Sequence, residues 1–91
     1  MMDQTKLLVV ENYLRRTFPG CEVEQEYYVG KSQYLGIREG PQLRHRVLVV
    51  HGFIEDHTEE EILALLTEWR AGQEIQIAGA ALVLITNHGV R

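Results

Sequence analysis

The sequence predicts an α+β domain: a mainly antiparallel sheet with two helices on one face, in the order α-β-β-β-α-β, with room for one more short strand. Two stretches with a 3.6-residue apolar period bracket three stretches with strand character, and glycine-containing turns separate the strands. The chain has 91 residues, 45% hydrophobic and 24% charged, which suits a single globular domain over residues 1–91.

The first helix is expected over residues 3–17. Leu7, Val10, Leu14 and Phe18 recur at helical spacing and form one apolar face. Asp3 or Thr5 can cap its start, Arg15 and Arg16 suit the negative end of its dipole, and Pro19-Gly20 stops it. Residues 22–29 alternate as a half-buried strand, with Glu22, Glu24 and Glu26 on one side and Val23, Gln25, Tyr27 and Val29 on the other. A turn at Gly30-Lys31-Ser32 leads to a strand over 34–38, with Leu35 and Ile37 opposite Tyr34 and Arg38. The third strand spans 43–51 and is apolar on both faces from Val47 to Val50.

The second helix carries the strongest signal. Thr58 and Glu61 have capping-box spacing, Ile62, Leu65, Leu66 and Trp69 follow at i, i+3, i+4 and i+7, and Gly72 is placed to end it. Trp69 is expected to be largely buried. Residues 80–86 read as an apolar strand. The alternation Glu74-Ile75-Gln76-Ile77, with Ala78-Gly79 as a turn, favours a terminal hairpin over a loop, and residues 87–91 read as a fraying tail.

Charge narrows the function classes. The net charge is −4; residues 1–52 carry seven basic and six acidic groups, and residues 53–91 carry two basic and seven acidic groups. That balance disfavours general nucleic-acid binding, which depends on Lys and Arg releasing phosphate counterions. No apolar run reaches the roughly 20 residues of a bilayer span, and the first residues lack a signal-peptide pattern, so a cytoplasmic, non-membrane protein is expected. Cys21 is the only cysteine and can form neither an internal disulfide nor a cysteine zinc site.

Motifs for chemistry are sparse. Gly30-Lys31-Ser32 matches the end of a phosphate-binding loop, but position 25 is Gln rather than the required glycine, and a strand follows instead of a helix. The element order resembles the core of the PD-(D/E)xK nucleases. Their sites need carboxylates at adjacent strand ends and a lysine two residues beyond one of them, and Leu43-Arg44-His45-Arg46-Val47 has no such triplet. The order also resembles double-stranded RNA-binding domains, whose second helix starts with basic residues; here Glu59-Glu60-Glu61 stand there. Type III secretion chaperones are similar in size, acidity and helix–strand order, but this chain has no room for their last helix. No nucleophile–base pair stands out, and catalytic residues are not assigned.

Two candidate sites remain. His51, Asp56 and His57 lie within seven residues at a strand-to-helix junction, and two imidazoles with a carboxylate would suit zinc or another divalent transition metal. The plainer reading has Asp56 capping the helix and the histidines solvated. The other site is a surface. Arg38, Arg44 and Arg46 on neighbouring strands can form a charge ladder with Glu22, Glu24 and Glu26, and with Tyr28, Tyr34 and Leu48 they make a candidate protein-binding face. Because two helices cover one side of a small sheet, Leu48, Val50 and part of Leu82 or Leu84 should be left open. A homodimer, face to face or edge to edge, would bury them. The leading expectation is thus a small interaction or regulatory module acting as a homodimer with an unspecified protein partner and no cofactor. The alternative is a metal-dependent enzyme or metal-binding protein.

Overall fold

The computed structural model describes residues 2–91. Helix α1 (Gln4–Thr17) starts at Asp3, whose carboxylate accepts from the backbone N–H groups of Thr5 and Lys6, and it ends in Arg15 and Arg16. Three strands follow as a meander: β1 (Glu22–Val29), β2 (Ser32–Glu39) and β3 (Gln42–Val49), joined by turns at Gly30 and Gly40, both with positive φ. Helices α2 (His51–Glu55), α3 (Glu59–Glu68) and α4 (Ala71–Ala78) then lead to β4 (Leu82–Thr86) and the two-residue β5 (Gly89–Val90). The sheet order is β1-β2-β3-β4-β5; β3 and β4 pair in parallel and every other neighbour is antiparallel. A parallel pair needs a crossover, and the three helices between β3 and β4 provide it.

The fold class is as the sequence predicts, but the described residues form four helices rather than two. Residues 73–79 form neither hairpin nor loop: 73–78 lie in α4 and Gly79 caps it at φ 61°; the helix buries Ala71, Gly72 and Ile75 while Ile77 points outward at 80% exposure. Four residues of alternation, Glu74-Ile75-Gln76-Ile77, fit both periods, and the buried partners that decide for a helix are small and carry little hydrophobic signal. The turn between α3 and α4 is made at Arg70, which adopts the left-handed conformation with φ 53°; Gly72 lies inside the next helix. Residues 51–55 form the short helix α2, which buries Phe53 and Ile54; each contributes roughly 1.5–3 kcal/mol before entropy. Lys6 Nζ donates to the Ile54 carbonyl at 3.3 Å. The tail pairs with β4: Leu84 and Arg91 exchange backbone hydrogen bonds of 2.8 Å in both directions, and the Thr86 hydroxyl donates to the Gly89 carbonyl.

The capping box of α3 forms as predicted. The Thr58 hydroxyl accepts from Glu61 N at 3.2 Å, and the Glu61 carboxylate accepts from Thr58 N at 2.8 Å. Ile62 and Leu66 are fully buried, but Trp69 is only half-buried, because α3 ends there and the indole lies at the rim of the core against Phe53, ring centroids 5.7 Å apart.

All the large buried side chains of the sheet point to the helix side. Leu35 and Ile37 from β2, Val47 and Val49 from β3, and Val83 and Ile85 from β4 meet Leu7, Val10 and Leu14 of α1, Ile62 and Leu66 of α3 and Ile75 of α4 in one core. No helix among the described residues is long and apolar enough to cross a membrane.

Candidate functional site

Strand pleating sends alternate side chains to the face that no helix covers, and pairing sets which of them are neighbours. One row crosses four strands: Tyr27 pairs with Tyr34, Tyr34 with Leu48, and Leu48 with Leu84. The row beside it runs Glu24, Gly36, Arg46, Leu82. Tyr27 and Leu82 are 59% and 46% exposed, while Tyr34, Leu48 and Leu84 are half-buried by their neighbours.

Tyr27 reaches this face because β1 is irregular. Its register against β2 shifts between Gln25 and Tyr27, so Glu26 is an extra residue and the alternation reverses beyond it. Tyr27 therefore sits beside Tyr34, with the rings stacked at 4.8 Å and 10° between planes. The same reversal takes Tyr28, which the sequence placed on the binding face, to the helix side, where its hydroxyl accepts from Gln4 Nε2 at 3.3 Å. Gln33, only 1% exposed, fixes the shift: its Nε2 donates to the carbonyls of Tyr27 (3.1 Å) and Tyr34 (2.9 Å). Simple alternation could not reveal Tyr27, since a bulge has no signature in this stretch of charged and aromatic residues.

Of the expected charge ladder, one group forms. Arg38 meets Glu26 at 3.0 Å and Glu24 at 3.5 Å. The Glu26 carboxylate lies where a Cβ on residue 36 would be, 2.6 Å away, so Gly36 makes the room that lets it reach Arg38. Arg44 falls at a second register shift and turns instead toward Glu39 (3.7 Å) at the β2–β3 turn. Arg46 remains on the face, with its Nε donating to the Ala80 carbonyl at 2.9 Å. Burial pushes the Tyr34 hydroxyl pKa up; the nearby Arg46 guanidinium opposes that shift, and stacked Tyr27 adds to it.

At the junction after β3 the three candidate metal ligands take separate partners. His51 Nε2 lies 3.5 Å from Glu55, one turn along α2. His57 Nδ1 bonds the Phe53 carbonyl at 2.8 Å and its ring lies against Phe53. Asp56 accepts from Asn87 Nδ2 at 2.8 Å rather than capping α3, a role Thr58 takes. His51, Asp56 and His57 are thus each engaged with a different neighbour. Among the described residues no three His, Cys, Asp or Glu side chains form a group that could hold a metal ion. Cys21 is a free, half-buried thiol packed against the core. No family model, curated protein or solved structure matches the chain.

Proposed function

We propose that the chain is an interaction module that binds protein through its open sheet face. The observation that carries this reading is the row Tyr27-Tyr34-Leu48-Leu84, a contiguous apolar and aromatic strip on the side away from every helix. A folded domain seldom leaves such a strip in water, and tyrosine with flanking arginine is the composition of interface centres and rims. Glu24 and Glu26 stand on the same face as Arg38 and Arg46, so the surface carries both signs. A phosphate backbone would meet repulsion there, whereas a protein surface of mixed charge would not.

A photo-reactive phenylalanine analogue placed at position 48 tests the reading, with position 77 on the outer side of α4 as the control. Specific adducts with protein, self or other, are expected from position 48 and should disappear when Leu84→Glu is added. Equal labelling from both positions, or none from 48, would contradict it.

A further inference from the structure

We infer that residues 87–91 are an edge guard: they keep β4 from pairing with a strand of another copy of this chain. The inference concerns the edge of the sheet and is independent of the open face. From Ile75 to Asn87 the chain has no charged residue and no proline, the longest such stretch in the sequence. Its centre, Leu82 to Thr86, is β4. An uncharged run of apolar and β-branched residues is the composition from which stacked, strand-paired assemblies grow when an edge is open. The other strongly apolar strand, β3, has β2 on one side and β4 on the other and is closed by the sheet itself. β4 has β3 on one side, and residues 87–91 close the other.

The guard is fastened along its length. The Thr86 hydroxyl donates to the Gly89 carbonyl at 2.9 Å and accepts from His88 N at 3.0 Å, which closes the turn. Asn87 Nδ2 donates to Asp56 at 2.8 Å and ties that turn to the end of α2. Val90 sits opposite Ile85 and packs against the core. Arg91 exchanges backbone hydrogen bonds of 2.8 Å with Leu84 in both directions, and so occupies the donor and acceptor that an incoming strand would use. One half-buried valine is a small return for ordering the whole tail, so burial alone does not account for it.

The guard does not pass the open edge on to its own outer side. β5 is only two residues long, and Gly89 holds φ 129°, a conformation open to glycine and foreign to an ordinary strand. Arg91 follows at once, charged and exposed. A short, kinked strand flanked by a charge is a poor template for another. The opposite edge is blunted in a different way: β1 is broken by the register shift at Glu26 and carries three glutamates. Both edges of the sheet therefore resist strand addition, and the tail is what supplies that resistance beside the most apolar stretch.

Two variants of the full chain open the tail by different routes. Gly89→Pro cannot adopt the positive φ and loses the amide beside Thr86, and Val90→Ser removes the apolar anchor without adding a charge. In each, with the helical circular dichroism kept, the Leu84 amide should exchange with solvent at least about tenfold faster than in wild type. At tens of micromolar both variants should then grow thioflavin-positive assemblies with a strand spacing of about 4.8 Å, and wild type should not. Adding Ala81→Glu, which sets like charges beside one another wherever copies of β4 stack, should suppress that growth. Faster exchange at Leu84 with no assembly would overturn the guard. So would assembly that Ala81→Glu leaves intact, or exchange at Leu84 that neither variant accelerates.

Discussion

Gln33 shows how one side chain decides what a surface displays. Fully buried, it spends its two amide hydrogens on the carbonyls of Tyr27 and Tyr34 and so holds the shift that puts Tyr27 on the open face. Gln33→Met keeps the length and removes the donors, leaving two carbonyls short of a partner. Unfolding titrations should show a loss of about 1–3 kcal/mol, and Tyr27 should lose its stacking signature in near-ultraviolet circular dichroism. A stability change near zero would mean the bulge is fixed by something else. Two groups with shifted pKa values give stability a pH dependence of definite sign. Hydrogen bonding from the Thr58 backbone N–H, then from its side chain, holds the Glu61 carboxyl below its usual range. A depressed folded pKa means stability that is present above the unfolded glutamate pKa and lost as pH falls through the folded one. Helix α3 should therefore fray in acid, and Glu61→Ala should flatten that part of the acid limb. Tyr34 has the opposite sign: its raised folded pKa gives stability that is full below the unfolded tyrosine pKa and declines as pH rises through the folded value. Tyr34→Phe should remove that alkaline loss without changing stability near neutrality.

At the scale of elements, the contact between α1 and α4 makes the clearest demand. A Cβ on residue 72 would come within 2.4 Å of Thr17 Cγ2, and Gly72 N donates to the Tyr13 hydroxyl at 3.0 Å. Alanine at an ordinary helical position would stabilise; here Gly72→Ala should cost about 1–3 kcal/mol through overpacking. Adding Thr17→Ser, which removes the clashing methyl, should recover much of it. Equal costs with and without Thr17→Ser would refute the packing account. Arg70 is the reverse case: a non-glycine residue in the left-handed region, so Arg70→Gly should stabilise by about 0.5–1 kcal/mol. These positions also show what the sequence could convey. Helix α1, the strands β1 to β4 and the capping box of α3 were legible because each writes a clear period or a cap at fixed spacing. Helix α4 was not, since its buried side is Ala71, Gly72 and Ile75, and Gly72 imitates a helix terminator. Spacing alone predicts a largely buried Trp69, but spacing cannot say that α3 stops beside it. Its truncation to alanine should cost no more than the low end of the about 3–5 kcal/mol typical of a buried tryptophan.

At the scale of the whole molecule, the four helices among the described residues lie on one side of a five-stranded sheet, and no described element covers the other side. That imbalance was legible in the sequence as strands apolar on both faces. The membership of the face was legible only in part: Tyr34, Arg38, Arg46 and Leu48 stand on it, Arg44 lies at its margin, and Tyr27 replaces Tyr28. The reason is physical, since register shifts at Glu26 and Arg44 depend on partner strands and not on local pattern. The proposed role depends on this face being covered in solution by another chain. Photo-cross-linking from position 48, with and without Leu84→Glu, tests that most directly. A specific protein adduct is expected from position 48. Leu84→Glu should abolish it, because a carboxylate in the centre of an apolar interface cannot be desolvated without a partner, and the helical circular dichroism should be unchanged. No adduct from position 48, or one that Leu84→Glu leaves intact, would contradict protein binding through the open sheet face.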